Sequence, residues 1–179
     1  MRTVVHGPLP AELEEYLAKR ARLGLDRCDE VWEGEYHMSP APNRRHADLE
    51  AQLGELLGPR ARAVGLRPYG NLNIGEKENY RIPDRSFIDP SVEGDIYLPT
   101  ATVVVEILSQ DDDTYKKFPF YATRGIAEIL VVDPAKRRVQ WFVRADVSAE
   151  ALAKPFIEAT ASVVLGLSSE TLAAELRWP

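Results

Sequence analysis

The chain of 179 residues reads as an α/β protein, because segments with apolar residues at helical spacing alternate with short apolar or alternating runs typical of strands. Three observations carry this. Residues 11–23 repeat apolar positions every three or four residues, residues 103–108 form a near-continuous apolar run, and residues 128–133 and 139–143 form two strand-like runs around a short loop. With 45% hydrophobic residues, this length suits one compact domain that buries its own core without disulfides. We expect a peripheral helix within residues 1–29, a core over about 30–143 and a C-terminal extension over 144–179.

In chain order, Pro10 precedes the helix 11–23, whose first turn carries acids that suit the helix dipole. Residues 31–38 read as a short strand with a turn or bulge at Glu33-Gly34-Glu35, ended by Ser39-Pro40-Ala41-Pro42. Asn43 caps a second helix that turns His46, Leu49, Leu53 and Leu56 inward and stops at Gly58-Pro59. Strands are expected over 67–74, 80–88 and 103–108. Ser109 and the acids after it open a helical segment that Gly125 ends, with Asp111 and Asp112 as capping residues. A hairpin loop over 134–138 joins the next two strands, and Ser168 or Ser169 caps a last helix over 168–176.

The net charge of −6 argues against indiscriminate polyanion binding, which depends on lysine and arginine neutralising phosphates. The charge is unevenly spread. Arg44, Arg45, Arg60 and Arg62 fall in one segment, so any nucleic-acid face belongs there; scattered arginines on a solvated helix are the competing account. Cys28 has no partner for an intramolecular disulfide, no signal peptide opens the chain, and no apolar run approaches the roughly 18 residues of a membrane span. A cytoplasmic protein is expected. His6, His37 and His46 lack zinc-like spacing, and no nucleophile elbow, phosphate loop or dinucleotide fingerprint is present.

Glu106 interrupts the apolar run 103–108, sharing one strand face with Val104 and Leu108 while Val103, Val105 and Ile107 share the other. A carboxylate in that setting must be protonated, paired or bound to a cation. The choice lies between an ion pair with Arg81 or Arg85 and a metal ligand. Asp84, directly after Pro83, supplies a second hard oxygen of the kind magnesium prefers, or else a turn residue. Lys117 follows eleven residues after Glu106. On one helix Asp113, Lys117 and Tyr121 would stack at i, i+4 and i+8, unless Pro119 makes the helix start near Phe118 or kinks it around Tyr115 and Lys116. Lys117 then either reaches over the strand end or pairs with Asp113, and Lys116 is its rival for an active role. His46 is a general-base candidate or a hydrogen-bonded core residue.

Pro83-Asp84, Val105-Glu106-Ile107-Leu108-Ser109, Asp113 with Lys117 and Tyr121, and the run from Gly125 to Pro134 together resemble the Uma-type family of the PD-(D/E)XK nuclease superfamily. Pro40-Ala41-Pro42-Asn43-Arg44-Arg45-His46, with Leu49 and Leu53, is similar to that family as well. The resemblance spans roughly residues 30–143 and, more loosely, the whole chain. It implies a restriction-endonuclease-like fold, a mixed β-sheet flanked by α-helices. It also implies Asp84 and Glu106 as metal ligands and Lys117 as the catalytic lysine. Three positions depart from the pattern. Leu108 stands where the standard Glu-x-Lys has its lysine, so that role shifts to Lys117; Gln110 replaces the proline that often follows the serine; and Arg85 replaces an apolar residue after Pro-Asp.

On that basis the expected activity is magnesium- or manganese-dependent hydrolysis of DNA phosphodiester bonds. The carbonyl of Ile107 is a possible third ligand, and Glu35, Glu50 or His46 would complete the shell. A homodimer would double the arginine surface about its axis. The readings set against this one are a non-catalytic module on the nuclease fold and a metal-dependent hydrolase of another phosphate ester.

Overall fold

The computed structural model describes residues 3–5, 11–109, 113–145 and 154–179. Gln110, Asp111 and Asp112, with the capping role expected of the two acids, lie outside the described residues, as does Pro10 before the first helix. The elements run β1 (Thr3–Val5), α1 (Ala11–Arg22), β2 (Glu30–Trp32), β3 (Glu35–Met38), α2 (Arg44–Ala63), β4 (Arg67–Tyr69), β5 (Asn73–Glu76) and β6 (Asn79–Arg81). They continue with β7 (Arg85–Ile88), β8 (Tyr97–Leu98), β9 (Val103–Ile107), a 3-10 turn (Thr114–Lys117), α3 (Phe118–Thr123), β10 (Glu128–Asp133), β11 (Arg138–Arg144), β12 (Phe156–Ala159) and α4 (Ser169–Glu175).

Two six-stranded sheets result. The central sheet has the order β12-β11-β10-β9-β7-β4, and the second has β1-β3-β2-β6-β5-β8. In the central sheet β9 and β10 are parallel and the other pairs antiparallel. Parallel neighbours cannot be joined by a hairpin, so the chain between them must cross one face of the sheet. That crossover carries the 3-10 turn and α3.

β9 is buried along its whole length, and its alternation matches the sequence expectation. Val103, Val105 and Ile107 join the cluster built on Leu49, Leu53 and Leu57 of α2 and Leu172 of α4. Val104 joins the opposite cluster with Ile74, Phe118, Phe120, Tyr121, Ile129 and Val131. Glu106 therefore opens onto the side covered by α3 and the second sheet.

Several expected elements differ in the structure. The run 31–38 is a hairpin, with Glu33 and Gly34 both at positive φ in its turn. The expected strands 67–74 and 80–88 are each divided, because each passes from one sheet to the other: β4 and β7 lie in the central sheet, β5 and β6 in the second. Pro83 has no N–H to give a ladder and marks the second crossing. Helix α2 continues through Gly58-Pro59 to Ala63. The solvent-facing proline forfeits one backbone bond, but Leu57 and Ala61 on either side are fully buried and hold the helix together. Gly65, at φ +84°, ends it, with the Leu66 amide bonding the Ala61 carbonyl at 2.8 Å. Asn43 caps α2 and Ser168 caps α4, as expected. The short strands β1, β8 and β12 have no counterpart in the sequence reading.

Candidate active site

Arg85 pairs with Val105 in the β7–β9 register, so antiparallel geometry brings Asp84, one residue earlier, alongside Glu106. The Asp84 carboxylate is fixed on both oxygens. Oδ2 accepts the Ile107 amide at 2.6 Å, and Oδ1 lies 2.8 Å from His46 Nε2, which reaches across from the first turn of α2. Burial works against charge on His46, yet the neighbouring carboxylate prevails and holds its pKa above the usual value.

Glu106 is 4% exposed and Lys117 6%. Lys117 Nζ donates to both Glu106 oxygens at 3.0 Å, and the Tyr121 hydroxyl donates to Oε1 as well. The crossover explains the convergence. The 3-10 turn leads directly into α3, Pro119 falls in the first turn of that helix where proline is tolerated, and both side chains descend onto the face that Glu106 occupies. Burial is the largest influence on Glu106 and pushes its carboxyl up to about 8, with Lys117 opposing and Asp84 and Glu30 adding to the rise. Burial alone would discharge Lys117, but two facing carboxylates outweigh it and keep the ammonium charged.

The second of those carboxylates is Glu30 of β2, 2.9 Å from Lys117 Nζ. The sequence reading passed over it. A signal was present, since Glu30 and Trp32 share a strand face and an acid beside a large apolar residue invites the argument applied to Glu106.

The ion pairs considered for Glu106 are not the ones formed. Arg81 pairs with Glu33 and lies against the rings of Trp32 and Phe120, while Arg85 faces Glu50 at 3.5 Å. Asp113 meets Lys116 at 2.7 Å instead of Lys117, because residues three apart eclipse in a 3-10 turn. Lys116 is exposed, so of the two lysines it is Lys117 that sits with the carboxylates.

A cleft of about 220 Å³ gathers Glu30, His46, Glu50, Asp84, Glu106, Ile107 and Lys117, with Asp113 and the half-buried thiol of Cys28 also on its wall. Burial and Asp84 push the Glu50 carboxyl up. Glu35 is not part of the lining, since it stands opposite Trp32 at the far end of its hairpin. Arg44 and Arg45 are exposed beside Asn43 and His46 on the cleft rim, whereas Arg60 and Arg62 lie in the last turn of the same 20-residue helix, roughly 24 Å further along.

Comparison with known proteins assigns this arrangement to a family. The family model Uma2, described as "Putative restriction endonuclease", matches residues 13–173. The chain belongs to the Uma2 family. No curated protein matches it. Among solved structures it is similar to a "putative nuclease belonging to DUF820" from Anabaena variabilis ATCC 29413, with TM-score 0.62 and 17% identity over 82% of this chain and 90% of that one. That likeness establishes the restriction-endonuclease-like fold, a mixed sheet flanked by helices. A chain in the cryoEM structure of a DrdV–DNA complex is more distant, with TM-score 0.42 and 16% identity over 74% of this chain and 11% of that one.

The resemblance to nucleases of this family implied a divalent metal, and the donors can be tested against one. Asp84 and Glu106 present hard carboxylate oxygens to one cleft, which suits magnesium or manganese, ions that keep several of their waters. Among the described residues no group of three or more His, Cys, Asp or Glu side chains forms a ready cation cage. The fit is that of a two-carboxylate site completed by water. Among the described residues no helix is long and apolar enough to cross a membrane.

Proposed function

We propose that this Uma2-family chain is a metal-dependent endonuclease that hydrolyses DNA phosphodiester bonds. The observation that carries the reading is the meeting of Lys117 Nζ with both oxygens of Glu106 at 3.0 Å, in a cleft that Asp84 also lines. Two acids and a lysine lining one cleft are groups that phosphodiester hydrolysis calls on, and they arrive from three separate segments of chain.

Asp84 and Glu106 would hold the metal, with the Ile107 carbonyl as a further ligand and Glu50 within the same cleft. Magnesium or manganese bound there would supply a polarised phosphodiester and a bound water of lowered pKa. Lys117 contributes a fixed positive charge where the pentavalent phosphorane develops negative charge, and a donor that orients the attacking water. His46 holds Asp84 in place through the 2.8 Å contact. Tyr121 fixes the rotamer of Glu106 by its hydroxyl bond.

Arg44 and Arg45 would contact the DNA backbone. Basic residues in the first turn of a helix oppose its dipole, so helix stability does not account for them, whereas a phosphate beside the rim does. A homodimer would double this arginine surface around a two-fold axis. We place the activity in the cytoplasm.

One observation favours a second reading, a non-catalytic module on the nuclease fold: both oxygens of Glu106 are already satisfied inside the protein. Supercoiled plasmid separates the two. Nicking that requires magnesium or manganese and vanishes in Glu106→Ala and Lys117→Ala supports the nuclease. Folded protein that neither binds the metal nor nicks DNA supports the module, and metal binding without DNA cleavage points to another phosphate ester.

A further inference from the structure

We propose that Glu30 is the positioning residue of Lys117: it gives the ammonium a second buried carboxylate, so the lysine stays in place when the oxygens of Glu106 turn to another cation. The inference rests on the nuclease reading above, and it concerns a residue on the second sheet, outside the segments that carry the Asp, Glu and Lys pattern.

Glu30 is 2% exposed and is held rigidly by neutral donors. Its Oε1 accepts the Ile82 amide at 2.8 Å, and its Oε2 accepts the Trp32 indole N–H at 2.7 Å. Lys117 Nζ stands 2.9 Å from the same Oε1 and 3.0 Å from Glu106. One ammonium thus lies between two carboxylates that belong to different sheets.

A single partner would create a conflict. Were Glu106 the only counter-charge, a cation taken up at Glu106 would leave a buried ammonium beside it with nothing to balance its charge, and such a lysine either loses its proton or leaves the site. Glu30 removes that conflict. It cannot follow Glu106 toward a cation near Asp84 without giving up the Ile82 and Trp32 bonds, so its charge remains available to Lys117. Ile82 also immediately precedes Pro83-Asp84, so the strand crossing that delivers Asp84 is anchored by the same carboxylate.

The rival account is that Glu30 only satisfies two buried donors. Glu30→Gln tests this, since the amide keeps the shape and one acceptor, for the Ile82 amide, but loses the charge and leaves the Trp32 indole N–H without its acceptor. Three readouts are taken on full-length protein: kinetics of plasmid nicking with magnesium, manganese affinity by calorimetry, and the rate of reductive methylation of Lys117 followed by mass spectrometry. We expect kcat to fall about 10–100-fold, the scale seen when partners of site residues are removed. KM for DNA and manganese affinity should stay near wild type, Tm should fall by the few degrees that one lost buried bond costs, and Lys117 should methylate faster. Wild-type kcat or wild-type methylation of Lys117 would overturn the proposal, as would an equal gain in methylation in Trp32→Phe, which loses the same indole bond and keeps the charge of Glu30. If the wild-type protein nicks nothing, the nuclease reading fails by itself, and the methylation rate still decides whether Glu30 positions Lys117.

Discussion

Asp84 accepts the backbone amide of Ile107 at 2.6 Å, so the residue at the strand crossing is tied to the end of the strand that carries Glu106. The bond makes one carboxylate both a candidate ligand and a structural clamp. Removing it should have two separable effects.

Asp84→Ala leaves the Ile107 N–H without its acceptor and His46 without its carboxylate, at a cost of about 1–3 kcal/mol. In a protein of this size each kcal/mol lowers Tm by about 2–4 °C. Asp84→Asn keeps an acceptor oxygen and should recover most of that stability while remaining without nuclease activity. Thermal melts and plasmid nicking on the two variants measure the effects independently.

The pH dependence of stability should carry the signature of Glu106. Its carboxyl is pushed from 4.5 up to about 8 by burial, so the fold favours the protonated form. That contribution is complete below about 4.5 and is lost as pH rises through about 8. Glu106→Gln resembles the protonated acid at every pH. Its Tm should therefore match wild type near pH 5 and exceed it increasingly toward pH 9, and a constant difference across that range would contradict the assignment.

Arg44→Ala and Arg45→Ala should each weaken DNA binding for all sequences alike and reduce the slope of log K against log salt by about 1. Arg60→Ala and Arg62→Ala should change it little, because those side chains lie at the opposite end of α2 from the cleft. Titrations by fluorescence anisotropy at several salt concentrations decide this.

What the sequence disclosed was mostly local. Alternation along 103–108 correctly assigned each side chain of β9 to its cluster, because a strand buried on both faces obeys period two without interruption. Pro119 left two readings open, a helix starting near Phe118 or one kinked around Tyr115 and Lys116, and α3 takes the first, since proline belongs in a first turn. The division of 67–74 and 80–88 between two sheets was not legible, for periodicity records which face a residue occupies and not which sheet it joins. Gly58-Pro59 misled for a similar reason: a local breaker was outweighed by the burial of Leu57 and Ala61, which only the tertiary structure displays. Glu30 was missed because its partner Lys117 is 87 positions away in sequence, and no spacing rule reaches that far.

The central claim, that Asp84 and Glu106 form a metal site served by Lys117, is tested most directly by a crystal structure of the protein soaked in manganese, read by anomalous scattering. The account predicts a peak bonded to carboxylate oxygens of both Asp84 and Glu106 at about 2.0–2.3 Å, with Lys117 still in the cleft. A saturating soak that leaves Lys117 on both oxygens of Glu106 and puts no peak between the two acids would contradict it.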